Sequence, residues 1–72
     1  MSDKDLLMQV DGIGEKRAEA LLDEFGDGYN VASRALSGWG AIRDVDGFSE
    51  DTARDMFHKM REANVFEELR SR

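Results

Sequence analysis

One pattern of apolar residues and glycines occurs twice in the chain, and the two copies are 35 residues apart. In each copy, four apolar residues follow the spacing i, i+3, i+4, i+7, which places them on one face of a helix. These residues are Ala18, Leu21, Leu22 and Phe25 in the first copy and Ala53, Met56, Phe57 and Met60 in the second. The turns before the two faces also correspond, since Val10, Gly12 and Ile13 are matched by Val45, Gly47 and Phe48. Neither unit can bury its apolar face alone, so the sequence predicts two helix-turn-helix units packed on each other.

The predicted fold class is all-α, with five short helices separated by glycines. The helices are expected at about residues 2–10, 15–25, 28–36, 41–45 and 50–63. Ser2 and Asp27 are expected to cap the first and third helices, and the third helix, which ends near Leu36, joins the two units. We therefore expect one tandem domain over residues 1–64. Residues 65–72 are expected to form a short C-terminal helical turn through Val65, Phe66 and Leu69 that then frays, or a tail.

The composition argues against several classes of function. The chain has no cysteine and a single histidine, His58, so disulfide bonds and a structural zinc site are not expected. No serine has a recognisable base, and no pair of histidines occurs, so we do not expect an enzyme. The N-terminus is polar and acidic, and no apolar run is long enough to span a bilayer. These features favour a cytoplasmic protein without a membrane partner.

The chain is acidic, with 16 Asp and Glu residues against 10 Lys and Arg residues and a net charge of −6 at pH 7. Two interpretations of this charge stay open. An acid-rich surface with few lysines is typical of a halophilic protein in a very salty cytoplasm. In the second interpretation, the chain is an ordinary acidic domain that its net charge keeps soluble.

The stretch VDGIGEKRA, at residues 10–18, has the composition of a turn that holds a phosphate. Gly12 has no Cβ, so it tolerates a positive φ. After Gly14, the first amides of the second helix have no acceptor within that helix and point towards solvent. Such N-termini attract phosphate through their amides and the helix dipole, and Lys16 and Arg17 add positive charge. The alternative is a tight connector between two helices that binds no ligand.

This stretch resembles the helix-hairpin-helix motif, whose pattern is h-x-G-h-G-x-x-x-A, where h is apolar. Both copies together, over roughly residues 3–62, resemble the tandem helix-hairpin-helix domain of DNA repair and recombination proteins. The resemblance implies sequence-independent binding to the DNA backbone across the minor groove. The expected partner is DNA, duplex or single-stranded, and the expected role is that of an accessory module in a larger repair complex. It implies nucleic-acid contacts by Gly12, Ile13, Gly14, Glu15, Lys16 and Arg17 in the first copy and by Gly47, Phe48, Ser49 and Thr52 in the second. It also implies a Na⁺ or K⁺ ion held by the backbone carbonyls of Met8, Val10 and Ile13.

The second copy departs from the motif. Ser49 replaces the second glycine, and a serine here would cap the helix and occupy an amide that a phosphate needs. Asp51 stands where the first copy has a lysine, and Asp44, Asp46 and Glu50 lie close by in the sequence. Because this surface should repel phosphate, a second hypothesis keeps the fold but makes it a protein-interaction module that docks its acidic turn on a basic partner. A third hypothesis is a degenerate regulatory domain without a ligand.

Overall fold

A computed structural model of the protein describes residues 2–35 and 37–71, and within them all regular structure is helical. The six helices are α1 (Asp3–Met8), α2 (Glu15–Phe25), α3 (Gly28–Ala35), α4 (Gly40–Arg43), α5 (Glu50–Glu62) and α6 (Val65–Arg70). The predicted all-α class is therefore confirmed, with one helix more than the five expected. The apolar position expected at Leu36 lies outside the described residues.

Side-chain and glycine caps fix the helix ends, as the sequence indicates. Ser2 Oγ accepts a hydrogen bond of 3.1 Å from the Asp5 amide at the start of α1, and Asp27 Oδ1 accepts one of 2.9 Å from the Asn30 amide in α3. Gly26 ends α2 with a φ of +96°, a conformation that favours glycine because it has no Cβ. These caps satisfy backbone groups that a helix leaves unpaired at its ends.

The core is one hydrophobic cluster to which α3 contributes fully buried residues. Val31, Ala32 and Ala35 on this helix are 0% exposed, and its most extensive contact is with α6. At the start of α3, the Gly28 amide donates a 3.0 Å hydrogen bond to Asp3 Oδ2. A Cβ on Gly28 would lie only 2.6 Å from Leu69 Cδ2. The connector helix is thus held between α1 and α6, and the two units pack largely through it.

The C-terminal segment forms the short helical turn that the sequence predicts through Val65, Phe66 and Leu69, and it differs from that prediction in being packed into the core. Val65, Phe66 and Leu69 of α6 are buried, with 2%, 6% and 1% of their surface exposed. Asn64 turns the chain between α5 and α6 with a φ of 60°, in the left-handed region that asparagine tolerates better than most residues. The physical reason for the difference is tertiary, because the apolar face of α6 is covered by α3 and α5.

Among residues 2–35 and 37–71, no helix combines the length and hydropathy needed to cross a membrane. The longest helix, α5, has 13 residues, whereas a transmembrane helix needs about 20 apolar ones.

Candidate nucleic-acid interface

The two predicted turns adopt the same backbone structure. We call residues 9–17 the first hairpin and residues 44–52 the second hairpin. In the first, three amide-to-carbonyl bonds join Val10 to Leu7 (3.1 Å), Ile13 to Val10 (3.0 Å) and Ala18 to Gly14 (3.0 Å). In the second, the corresponding bonds join Val45 to Ile42 (3.3 Å), Phe48 to Val45 (3.0 Å) and Ala53 to Ser49 (2.8 Å). The predicted repeat is therefore present in the backbone. The apolar faces correspond less closely, because all four residues are buried in the second copy, whereas Leu22 and Phe25 of the first copy are only partly buried.

A positive-φ glycine and a buried apolar residue shape each hairpin. The φ angles of Gly12 and Gly47 are +96° and +89°, which explains why glycine occupies both positions. Ile13 and Phe48 are only 3% and 8% exposed, so they anchor the hairpins in the core. Both were expected to contact nucleic acid, and such burial leaves that role mainly to their backbone atoms.

The N-terminus of α2 has no internal cap. Gly14 precedes the helix with φ −90° and ψ −171° and has no side chain to accept a hydrogen bond. Among the described residues, none accepts a hydrogen bond from the amides of Glu15, Lys16 or Arg17. A Cβ built on Gly14 would meet nothing within 4 Å. The first hairpin thus presents open space in front of unpaired amide donors, the arrangement expected of a phosphate site.

The second hairpin is closed by its own side chains. Ser49 Oγ accepts a 3.2 Å hydrogen bond from the Thr52 amide and donates one of 3.0 Å to Thr52 Oγ1. The prediction that Ser49 satisfies an amide is therefore confirmed. Glu50 and Asp51 are exposed in the first turn of α5, where their negative charges interact favourably with the positive end of the helix dipole. The same side chains would repel a phosphate from this hairpin.

The two cations of the first hairpin differ in their surroundings. Lys16 is exposed, and none of the described residues forms a salt bridge with it. Arg17 was expected to add charge beside the amides, and in the structure its Nη1 also donates a 2.8 Å hydrogen bond to the Gly12 carbonyl. Its Nε lies 3.5 Å from the Gly47 carbonyl. Arg17 is therefore occupied within the protein, because its half-buried side chain points towards both hairpins.

Sequence reasoning missed Lys59, a third cation near the first hairpin. Its Nζ lies 3.2 Å from Asp55 Oδ2 and 3.6 Å from Asp11 Oδ2. The hydrogen bond to Asp55, together with the charges of Asp55 and Asp11, raises the pKa of Lys59 above its usual value. The i,i+4 spacing from Asp55 was visible in the sequence, but the contact with Asp11 depends on how α5 packs beside the first hairpin.

The carbonyls proposed for a monovalent ion have the chemistry that such an ion requires. The Val10 carbonyl accepts one hydrogen bond, from the Ile13 amide, which leaves it a second lone pair. Among the described residues, none of the turn and capping hydrogen bonds of the backbone has the Met8 or the Ile13 carbonyl as its acceptor. Backbone carbonyls are the donors that K⁺ filters use. The Arg17 guanidinium already donates to the neighbouring Gly12 carbonyl, and an ion at the other three carbonyls stays a prediction.

The described part of the chain brings together no group of three or more His, Cys, Asp or Glu side chains suited to a metal ion. His58, which the sequence places on the surface, is exposed and has its ring edge-on to Phe57. No protein-family model, curated protein or solved structure matches the chain. The helix-hairpin-helix interpretation therefore rests on the residues of the two hairpins and on their geometry.

Proposed function

We propose that the protein is a sequence-independent DNA-binding module of the helix-hairpin-helix type, working as an accessory part of a repair or recombination complex. The observation that carries the proposal is the uncapped N-terminus of α2, with open space at Gly14. A phosphate of the DNA backbone fills that space and accepts hydrogen bonds from the amides that follow Gly14. Such contacts position a protein on nucleic acid without reading bases.

The negative net charge of the chain is compatible with phosphate binding at this site, because the amides and the helix dipole act on a phosphate at short range. At 1 M salt the Debye length is about 3 Å, so carboxylates elsewhere on the surface are largely screened from the DNA. The number of phosphates neutralised is small, which predicts weak binding with a shallow dependence on salt. A weak grip is useful when the module is tethered to a larger assembly or acts as one of several binding sites.

The Lys16→Glu variant tests this proposal. Lys16 is the exposed cation of the first hairpin without a salt bridge, so reversing its charge should weaken binding about ten-fold at 50–100 mM salt and less at high salt. Fluorescence anisotropy with labelled duplex and single-stranded oligonucleotides, at several salt concentrations, measures both effects. Arg70→Glu on α6 is the matched control, since it introduces the same charge change away from the hairpins. Equal losses in both variants would show that net charge, and not the hairpin, governs binding.

The monovalent ion belongs to the same proposal. Held by the Met8, Val10 and Ile13 carbonyls, it would add positive charge to the first hairpin. Repeating the titration in KCl, NaCl and LiCl at equal ionic strength tests this part, because only a coordinated ion makes the affinity depend on which cation is present. Equal affinities in the three salts would remove the ion from the proposal and leave the amide grip in place.

A second candidate function is a protein-interaction module, and the closed second hairpin favours it. Ser49 already occupies the Thr52 amide, and the side chains of Asp46, Glu50 and Asp51, which are close by in the sequence, are exposed. Asp44 is exposed as well, with its Oδ1 3.8 Å from Arg43 Nε. A basic segment of a partner protein fits such a surface, and electrostatic complementarity of this kind speeds association. The two candidate functions use different hairpins, so one chain is able to perform both.

A double variant, Ser49→Gly with Asp51→Lys, makes the second hairpin resemble the first. Because it frees the Thr52 amide and replaces a carboxylate with an ammonium, we expect duplex affinity to rise about ten-fold at low salt. Loss of the serine cap should cost only a few tenths of a kcal/mol. Anisotropy titrations measure the gain, and Ser71→Gly with Glu68→Lys, on α6, is the control. An unchanged affinity would mean that the second hairpin does not face the DNA.

A further inference from the structure

One side chain, Arg17, reaches the backbone of both hairpins. Its Nη1 donates a 2.8 Å hydrogen bond to the carbonyl of Gly12, and its Nε lies 3.5 Å from the carbonyl of Gly47. Gly12 and Gly47 are equivalent glycines in the two copies of the repeat. The guanidinium carbon also lies 5.9 Å from the centre of the Phe48 ring, within the range of a cation–π contact.

The chemistry of arginine suits this bridging position. A guanidinium is planar, charged at every accessible pH, and carries donors in a rigid fork, so it is able to serve two carbonyls at once. A lysine ammonium has a flexible stem and no such fork. In the second copy, the equivalent residue is Thr52, whose hydroxyl is bound to Ser49 Oγ. Only the first copy therefore contributes such a contact: Arg17 of α2 reaches the second hairpin, and its equivalent Thr52 is bonded within its own hairpin.

We infer that Arg17 is a positioning residue that holds the two hairpins in a fixed relative orientation and thereby presents both to one ligand. The inference deepens the proposed function and rests on it where DNA is concerned. Arg17 acts by fixing Gly12 beside Gly47 through its Nη1 and Nε donors. Removing the bridge should leave each hairpin intact, because the three backbone bonds within each one do not involve this side chain.

The test compares Arg17→Met, which keeps much of the aliphatic stem, with Arg17→Lys, which keeps the charge but loses the fork. Both should weaken duplex binding about ten-fold, because hairpins that are no longer held in one orientation must be ordered when the DNA binds. Residual dipolar couplings on the free variants should show that the amides of the two hairpins no longer fit one alignment tensor. Arg70→Met and Arg70→Lys provide the matched controls, and circular dichroism confirms folding.

The outcomes separate the inference from the proposed function. Wild-type affinity in Arg17→Lys would show that Arg17 acts as a charge and would overturn the positioning role. Unchanged dipolar couplings in both variants would also overturn it, whether or not DNA binds. If the wild-type protein binds no DNA, the proposed function fails. In that case, altered dipolar couplings in the Arg17 variants would still show that Arg17 orients the hairpins. Unaltered couplings would reject the positioning role together with the proposed function.

Discussion

Leu69→Ala is expected to lower the free energy of unfolding by about 2–5 kcal/mol, the range found when a large buried aliphatic side chain is cut back to alanine. Leu69 is 1% exposed, and its Cδ2 lies against the backbone of Gly28, where even an added Cβ would be only 2.6 Å away. The shortened side chain leaves a cavity between α3 and α6. Because domains this small are marginally stable, a large fraction of the variant should be unfolded at moderate urea.

Urea unfolding followed by circular dichroism measures this loss, and Met8→Ala is the control. Met8 is also a large apolar residue on a short helix, but 40% of its surface is exposed, so its truncation should change stability much less. If Leu69→Ala unfolds at the same urea concentration as the wild type, α6 is a peripheral turn and not a part of the core.

Gly14→Asp is expected to weaken DNA binding by about ten-fold or more while leaving the fold as stable as before or slightly more stable. The φ of −90° at Gly14 suits any residue, and a Cβ there meets nothing within 4 Å. An aspartate at this position accepts hydrogen bonds from the first amides of α2 and interacts favourably with the helix dipole, which together add up to about 1 kcal/mol. The same carboxylate occupies the donors that a phosphate requires and repels the phosphate itself.

The opposite signs of the two effects make this variant informative. Thermal unfolding measures the stability, and anisotropy with a duplex oligonucleotide measures the affinity. Gly14→Ala is the control, since it adds a Cβ without an acceptor and should retain more of the affinity. If Gly14→Asp binds DNA as tightly as the wild-type protein, the start of α2 does not receive the phosphate.

The hairpins were predictable from the sequence because their determinants are local. Positive φ at Gly12 and Gly47, capping by Ser49 and the central apolar residues Ile13 and Phe48 each follow from one residue and its neighbours. Agreement between the two copies supported the assignments of the glycines and the central apolar residues, whereas the Ser49 cap was predicted from the difference between the copies. The same reasoning predicted the caps at Ser2 and Asp27.

The features that the sequence did not predict depend on contacts between distant segments. The helix α6 has 6 residues, too few to form an isolated helix, and it is stabilised by packing on α3. Arg17 looked like a free cation beside a phosphate site, because no local pattern shows that its guanidinium reaches Gly12 and Gly47. The contact between Lys59 and Asp11 is another long-range result of the fold.

An NMR titration of the ¹⁵N-labelled protein with a short DNA duplex, at low and moderate salt, tests most directly whether the N-terminal amides of α2 bind a phosphate. We predict that the amide resonances of Gly14, Glu15, Lys16 and Arg17 shift progressively with added DNA, more than those of residues 47–52, and that the shifts shrink in Gly14→Asp. Unmoved amides at residues 14–17 at both salt concentrations, together with shifts elsewhere or none at all, would contradict the proposal.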